Sequence, residues 1–235
     1  MIFYPNSGCD SSMELVLAMD LKGDLVVHGK SGQRAGYKPL DWGCSPTAEP
    51  VGFVKAIRPK KIYIADLDRI EGKGSHDRVI RECARLVSCC YADRGCRSPD
   101  DFLSGYHIVN IVGTETGGGD LSLYGGGFLS LDMKNGRVIP SGREPVDVLR
   151  QANGWKFEGC IILDISAVGT ESGLVREMLE TMRAACHRKL FWGGGVASVA
   201  DLHMLRDAGF DGAIVATALH HGTIPLDWIQ RGYVC

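Results

Sequence analysis

The chain has 235 residues, 45% hydrophobic and 23% charged, an ordinary globular balance that supports a large core. Its formal net charge of -2 gives no general attraction to nucleic acid or an anionic membrane, so any anion site has to be local. No apolar run approaches the roughly 20 residues that span a bilayer, and the nine cysteines include no CxxC pair, which points to reduced thiols in a cytoplasmic protein.

Residues 1–12 have no basic region followed by an apolar core and do not read as a signal peptide. The first apolar run is Leu15–Asp20, continued as strand by Leu25–His28. A stretch rich in Gly, Pro and charge follows, read as a long loop bearing Lys30, Arg34 and Lys38 and ending in a short helix near Pro50–Ile57. Strand-like runs recur at Lys61–Asp66, Val87–Tyr91, Ile108–Gly113, Phe128–Asp132, Gly159–Asp164, Lys189–Gly194 and Gly212–Thr217. Continuous apolar runs of this length suit strands buried on both faces, as in a parallel sheet. Amphipathic stretches lie between them at Asp77–Leu86, Pro145–Ala152, Leu174–Cys186 and Val199–Ala208, the last stopped by Gly209.

Internal repetition chooses among the α/β folds. Residues 17–27 and 129–139 both read L-x-x-D-x-K-x-x-x-V. The turn at Asp93–Ser98, followed by Asp101, parallels Gly193–Ser198, followed by Asp201. Ile111–Thr114 parallels Ile214–Thr217. The first, third and fourth strands thus have counterparts in the fifth, seventh and eighth, in the same order. A doubled four-unit half closes naturally into a (βα)8 TIM barrel, with halves near 13–125 and 126–225 in a single domain; an open sheet has no reason to show the repeat.

In such barrels the loops after the seventh and eighth strands are a frequent phosphate site. Here those positions hold the glycine turn Gly193-Gly194-Gly195 and the small-residue end Ala216-Thr217, where backbone amides can approach an anion. The alternative is a tight strand-to-helix turn. Asp20 and Asp132 end the first and fifth strands and would face each other across the mouth, the arrangement for one general acid and one general base. Capping of nearby loop amides is the structural alternative. Asp66, Asp68, Asp93, Glu115 and Asp164 make the mouth acidic; pairing with Lys22, Lys134, Arg94 or Arg97 is the expectation, rather than a metal. Asp164 joins the catalytic candidates, and Lys22, Arg34, Asp66, Arg94 and Thr114 are candidate ligand contacts. His220-His221 has no metal-site spacing and reads as loop. No nucleophile elbow or triad motif is found, and no cofactor is expected.

The segments Met19-Asp20-Leu21-Lys22-Gly23, Ser130-Leu131-Asp132-Met133-Lys134, Gly193-Gly194-Gly195-Val196 and Val215-Ala216-Thr217-Ala218 resemble the histidine-biosynthesis barrel superfamily, over nearly the whole chain. That superfamily holds ProFAR isomerase and the cyclase subunit of imidazole glycerol phosphate synthase. The resemblance implies that Asp20 and Asp132 are the matching catalytic carboxylates and that Gly194, Gly195, Ala216 and Thr217 border the matching phosphate site. It implies an Amadori rearrangement, in which one carboxyl opens an aminoaldose ring and the other moves a proton on the adjacent carbon. Two departures stand out. The first-half turn reads Asp93-Arg94-Gly95 where the isomerase has glycines, and a carboxylate there repels phosphate unless Arg94 or Arg97 offsets it. Asp164 stands where the family has Thr. The stretch Ile64–Gly72 resembles an isomerase-related side branch of methanogens and tetrahydromethanopterin-using methylotrophs, which implies a role near one-carbon carrier synthesis or use.

The expected partner is a small phosphorylated or pterin-like ligand, carrying one phosphate or a similar acid, with no nucleic acid or membrane; the oligomeric state stays open. The competing readings are true ProFAR isomerase activity and a barrel that binds a folate- or methanopterin-like cofactor without turnover.

Overall fold

In the computed structural model, residues 12–170 and 173–235 are described. Most of residues 1–12, read above as lacking a signal peptide, lies outside them. Eight parallel strands run β1 (Met13–Lys22), β2 (Lys61–Asp66), β3 (Cys89–Asp93), β4 (Ile108–Gly113), β5 (Phe128–Lys134), β6 (Gly159–Asp164), β7 (Lys189–Gly193) and β8 (Gly212–Val215). Each pairs with the next, and β8 pairs with β1 through Glu14↔Gly212 to Leu17↔Val215, which closes the barrel. The third strand begins two residues later than the run Val87–Tyr91 suggests. Asp93 therefore completes β3, in register with Ala65 on β2 and Ile111 on β4.

Among the described residues, six α-helices of six residues or more surround the strands, α1 (Pro50–Ile57), α2 (Asp77–Ala84), α3 (Pro145–Ala152), α4 (Arg176–Ala185), α5 (Val199–Asp207) and α6 (Leu226–Arg231), and single-turn helices at Leu67–Ile70 and Thr217–His220 follow β2 and β8. The third and fourth units carry only 3-10 turns, at Pro99–Asp101 and Leu121–Leu123. No helix among the described residues is long and apolar enough to cross a membrane.

The strands read as continuous apolar runs because both faces are covered, and the core accordingly divides in two. Residues pointing outward, such as Leu15, Leu17, Ile62, Cys90, Leu129, Cys160 and Trp192, pack beneath the helices. Those pointing inward, such as Val16, Tyr63, Tyr91, Phe128, Ile161, Phe191 and Ile214, fill the barrel. Tyr91, Phe128 and Phe191 meet with ring centroids 5.2–5.4 Å apart. Below them Glu14 accepts from Lys61 Nζ at 2.6 Å and from the Tyr91 hydroxyl at 3.1 Å, with Lys189 Nζ 3.6 Å away. The N-terminal end is thus stoppered by aromatic rings and an ion-paired acid.

The same alternation carried upward changes character. At the C-terminal ends the inward positions become Asp20, Ala65, Asp93, Gly113, Asp132 and Gly193. Small and acidic side chains replace the aromatic layer, and a cavity opens there.

The repeats seen in the sequence are also repeats of hydrogen bonding. β1 turns back antiparallel into Leu25–His28, and β5 into Arg137–Val138. Both hairpins use a two-residue turn with positive φ at both positions, Gly23-Asp24 (56° and 63°) and Asn135-Gly136 (52° and 74°). This is the mirror-image turn whose twist matches paired strands. Asp101 Oδ2 accepts from Arg97 N–H at 2.8 Å, and Asp201 Oδ2 accepts from Ala197 N–H at 2.9 Å. The helices after both hairpins start Glu-Pro, at residues 49–50 and 144–145, with proline in the first turn where a missing N–H costs nothing.

Part of the long loop after Leu25–His28 is ordered structure. Arg34–Gly36 forms a 3-10 turn, and Lys38–Pro39 pairs antiparallel with Val27–His28. Cys44, Cys83, Cys89, Cys90, Cys96, Cys160 and Cys186 are free thiols, with Cys83, Cys90 and Cys96 buried and Cys89 half-buried.

Candidate active site at the C-terminal mouth

One cavity occupies the mouth, and its lining gathers several residues singled out in the sequence: Asp20, Arg34, Asp132, Gly194, Gly195, Ala216 and Thr217. Asp20 and Asp132 stand on opposite sides of the barrel, on β1 and β5. Gly113 and Gly29 make room for them. A Cβ on Gly113 would lie 2.7 Å from Asp132 Oδ2, and one on Gly29 would lie 2.5 Å from Asp20 Oδ2.

Asp132 is buried and held from three sides. Its Oδ2 accepts from Glu115 N–H at 2.9 Å, its Oδ1 accepts from the Ser130 hydroxyl at 2.7 Å, and its own N–H donates to Thr114 Oγ1 at 3.0 Å. Burial pushes the Asp132 carboxyl up to about 7, aided by the charge of Asp93 and opposed by the two donors. Burial likewise pushes Asp20 up to about 7, against the nearby Arg34 guanidinium and with the help of Asp93. Both carboxyls are poised where proton gain and loss are about equally easy at neutral pH, the condition general acid–base chemistry requires.

Two further groups complete the floor. Asp93 is buried beside the pair, with its own carboxyl raised by burial. Tyr63 donates its hydroxyl to Asp93 Oδ2 at 2.8 Å. Over the opening, Arg34 makes a two-pronged contact with Glu115, at 2.9 Å and 2.7 Å. That fork ties the loop after Leu25–His28 to the end of β4.

The rim near β7 and β8 is built from glycine and a short helix. Gly194 (φ 95°) and Gly195 (φ 74°) take left-handed conformations. A Cβ on Gly194 would lie 2.3 Å from the Asp164 carbonyl oxygen, so only glycine fits. Ser198 and Asp201 form a capping box that starts α5 directly after the turn. Thr217–His220 is a short helix rather than loop, which corrects the reading of His220. His220 is buried, lines the cavity and accepts from Cys44 N–H through Nδ1 at 3.3 Å. Burial, then His28 and His221, push its ring down to about 4, so it is neutral. His28 Nε2 lies 3.1 Å from Thr217 Oγ1 and also lines the cavity.

The remaining candidates stand outside the cavity lining. Asp164 is turned to its own loop, accepting from Ser166 N–H (3.1 Å), the Ser166 hydroxyl (2.9 Å) and Ala167 N–H (3.3 Å), the alternative role for an acid at a turn. Asp66 is fully buried on the outer face of β2, where it accepts from Arg69 N–H and His76 N–H and contacts His76 Nδ1 at 2.8 Å. Arg94 is buried against Asp77 at 2.6 Å. Lys22 donates to the Arg34 carbonyl, not to an acid. Thr114 acts through the backbone of Asp132. Lys30 and Lys38 are exposed. Among the described residues no three His, Cys, Asp or Glu side chains are grouped to hold a metal ion.

Sequence reading passed over Tyr63, His28 and His220 as site residues. The available signal was the period-two alternation: Tyr63 lies two positions below the cavity-lining Ala65 on β2 and therefore shares its inward face.

A family model described as histidine biosynthesis protein matches residues 124–225. An uncharacterized protein of Methanocaldococcus jannaschii is 33% identical over 228 residues, 92% of this chain and 97% of that protein. In Thermus thermophilus, the 1-(5-phosphoribosyl)-5-((5-phosphoribosylamino)methylideneamino)imidazole-4-carboxamide isomerase, ProFAR isomerase, is 29% identical over 240 residues, 91% of this chain and 97% of the enzyme. The isomerase of the same name in Bacillus anthracis is 27% identical over 236 residues, 92% of this chain and 96% of the enzyme. Similarity thus runs nearly end to end, over a barrel whose two halves repeat the same hairpin and turn. The chain belongs to the histidine biosynthesis protein family, on a branch related to its isomerases.

Proposed function

We propose that this ProFAR-isomerase-like barrel is an isomerase that performs acid–base chemistry between Asp20 and Asp132 on a phosphate-bearing small molecule. The observation that carries the reading is the pair itself: two carboxyls at opposed strand ends of one cavity, each pushed up to about 7. Gly194, Gly195, Ala216 and Thr217 would seat the phosphate, since left-handed glycines and a helix start bring backbone N–H groups to the rim. For an aminoaldose, one carboxyl protonates the ring oxygen and the other accepts the proton lost from the adjacent carbon. The proton count is unchanged and no electrons leave the substrate. Arg34 and Glu115 would close over the ligand from the first-half side.

A role in one-carbon carrier metabolism, in the synthesis or use of tetrahydromethanopterin or methanofuran, is the pathway we favour. Its support is the side-branch stretch Ile64–Gly72, which is part of the site's architecture. Leu67 and Ile70 line the cavity, and Arg69 donates to the Arg94 carbonyl at 2.5 Å.

The test is native mass spectrometry of the protein and its Asp132→Asn variant purified from a tetrahydromethanopterin-using host, with deletion of the gene in the same host. The variant should retain a phosphate-bearing ligand that the parent converts, and the deletion should impair one-carbon growth without a histidine requirement. A bound ligand lacking phosphate, or parental turnover by the variant, sinks the acid–base reading. A histidine requirement moves the protein to the isomerase step named for its relatives.

A further inference from the structure

Doubling of a half-barrel should give two equivalent turns, one after β3 and one after β7. In the second half that turn is Gly193-Gly194-Gly195. In the first half Asp93 occupies the place of Gly193, and its side chain folds onto its own turn. Asp93 Oδ1 accepts from Gly95 N–H at 3.1 Å, and Oδ2 accepts from the Tyr63 hydroxyl at 2.8 Å. Gly95 keeps the left-handed conformation of the second-half glycines, with φ 61°, and a Cβ there would meet Ile70 Cα at 2.9 Å. One of the two left-handed positions of the second-half turn thus survives, at Gly95, and a carboxylate of the same chain occupies its N–H.

The neighbouring cations do not restore a site for a second anion. Arg94 spends its guanidinium on Asp77 and the Asp101 carbonyl, each contact at 2.8 Å. Arg97 donates to the carbonyls of Gly95 (3.1 Å) and Ile70 (2.9 Å). Arg69 binds the Arg94 carbonyl and Asp101. None of the three lines the cavity, where among the described residues the one guanidinium, Arg34, is forked onto Glu115. A phosphate approaching this side meets Asp93 with its partners already engaged.

We propose that Asp93, held by Tyr63, is a specificity residue that fills the first-half anion nest with its own carboxylate, so that the protein takes monophosphates whose far end is neutral or cationic and rejects bisphosphates. This rests on the phosphate reading of the β7–β8 rim and adds to it. The isomerase relatives are named for a compound with two phosphoribosyl groups; Asp93 separates this site from such a ligand by charge, across the barrel from the rim.

Calorimetric titration with inorganic phosphate, fructose 6-phosphate and fructose 1,6-bisphosphate tests it, on the parent, Asp93→Gly and Asp93→Asn. The parent should bind the monophosphate at least tenfold more tightly than the bisphosphate. Asp93→Gly, which bares the Gly95 amide, should reverse that order. Asp93→Asn keeps an acceptor for Gly95 N–H and turns an amide N–H toward the Tyr63 oxygen, which can accept it, while removing the charge; it should fold like the parent and narrow the gap. Equal affinities for both sugars in the parent, or a preference unmoved in Asp93→Gly, overturns the role of Asp93 while leaving the rim in place. If no phosphate probe binds any variant, the phosphate reading and this inference fall together.

Discussion

Asp132→Asn isolates the cost of holding a carboxyl in this cavity. Asn matches Asp in shape, its Oδ1 can still accept from Glu115 N–H, and the Ser130 hydroxyl can rotate to face either amide atom. A carboxyl whose folded value exceeds its unfolded value stabilises the fold fully only below the unfolded value, 3.8, and that contribution is lost as pH rises to about 7. Each tenfold change in proton affinity is worth about 1.4 kcal/mol, so the two pH decades from about 5 to about 7 should remove about 3 kcal/mol from the parent through Asp132 alone. Asn carries no such slope. Asp20 and Asp93 titrate in both proteins and largely cancel in the difference. Urea unfolding at pH 5 and pH 8 should therefore show Asp132→Asn gaining about 2–3 kcal/mol relative to the parent on going to the higher pH. A relative stability that stays within about 0.5 kcal/mol, or moves the other way, would refute the claim that burial raises this carboxyl.

The fit of Gly113 against Asp132 predicts that Gly113→Ala lowers turnover at least tenfold by displacing the carboxyl, whereas Gly119→Ala, with open space around its Cβ, leaves rates unchanged in the same steady-state assay. His76→Ala removes a contact from the fully buried Asp66 and should cost about 1–3 kcal/mol in urea unfolding. Ligand affinity by calorimetry should stay within twofold, because Asp66 lies outside the cavity.

The barrel was legible because its determinants are local or periodic. Apolar runs, the glycine turn and the duplicated L-x-x-D-x-K text each survive as a strand, a left-handed turn and a hairpin. Asp20 and Asp132 were legible for the same reason, as each ends a strand. What the text could not separate was acids at neighbouring positions. Asp66 ends β2 as Asp20 lies near the end of β1, yet one position of pleat puts it outward, where His76 takes it up. Asp164 was indistinguishable from a catalytic acid until Ser166 and Ala167 turned toward it. Arg34 and Glu115 are 81 positions apart, and no local pattern announces their fork. Asp93 showed as a departure from glycine; that its carboxyl caps Gly95 depends on a strand boundary two residues from the expected one.

The ion-paired stopper of Glu14, Lys61 and Lys189, with the ring layer above it, fills the N-terminal end of the barrel among the described residues. If the proposed acid–base reading holds, reactant and product would share the mouth at which Arg34 is forked onto Glu115. Loosening that fork would then affect entry and exit alike.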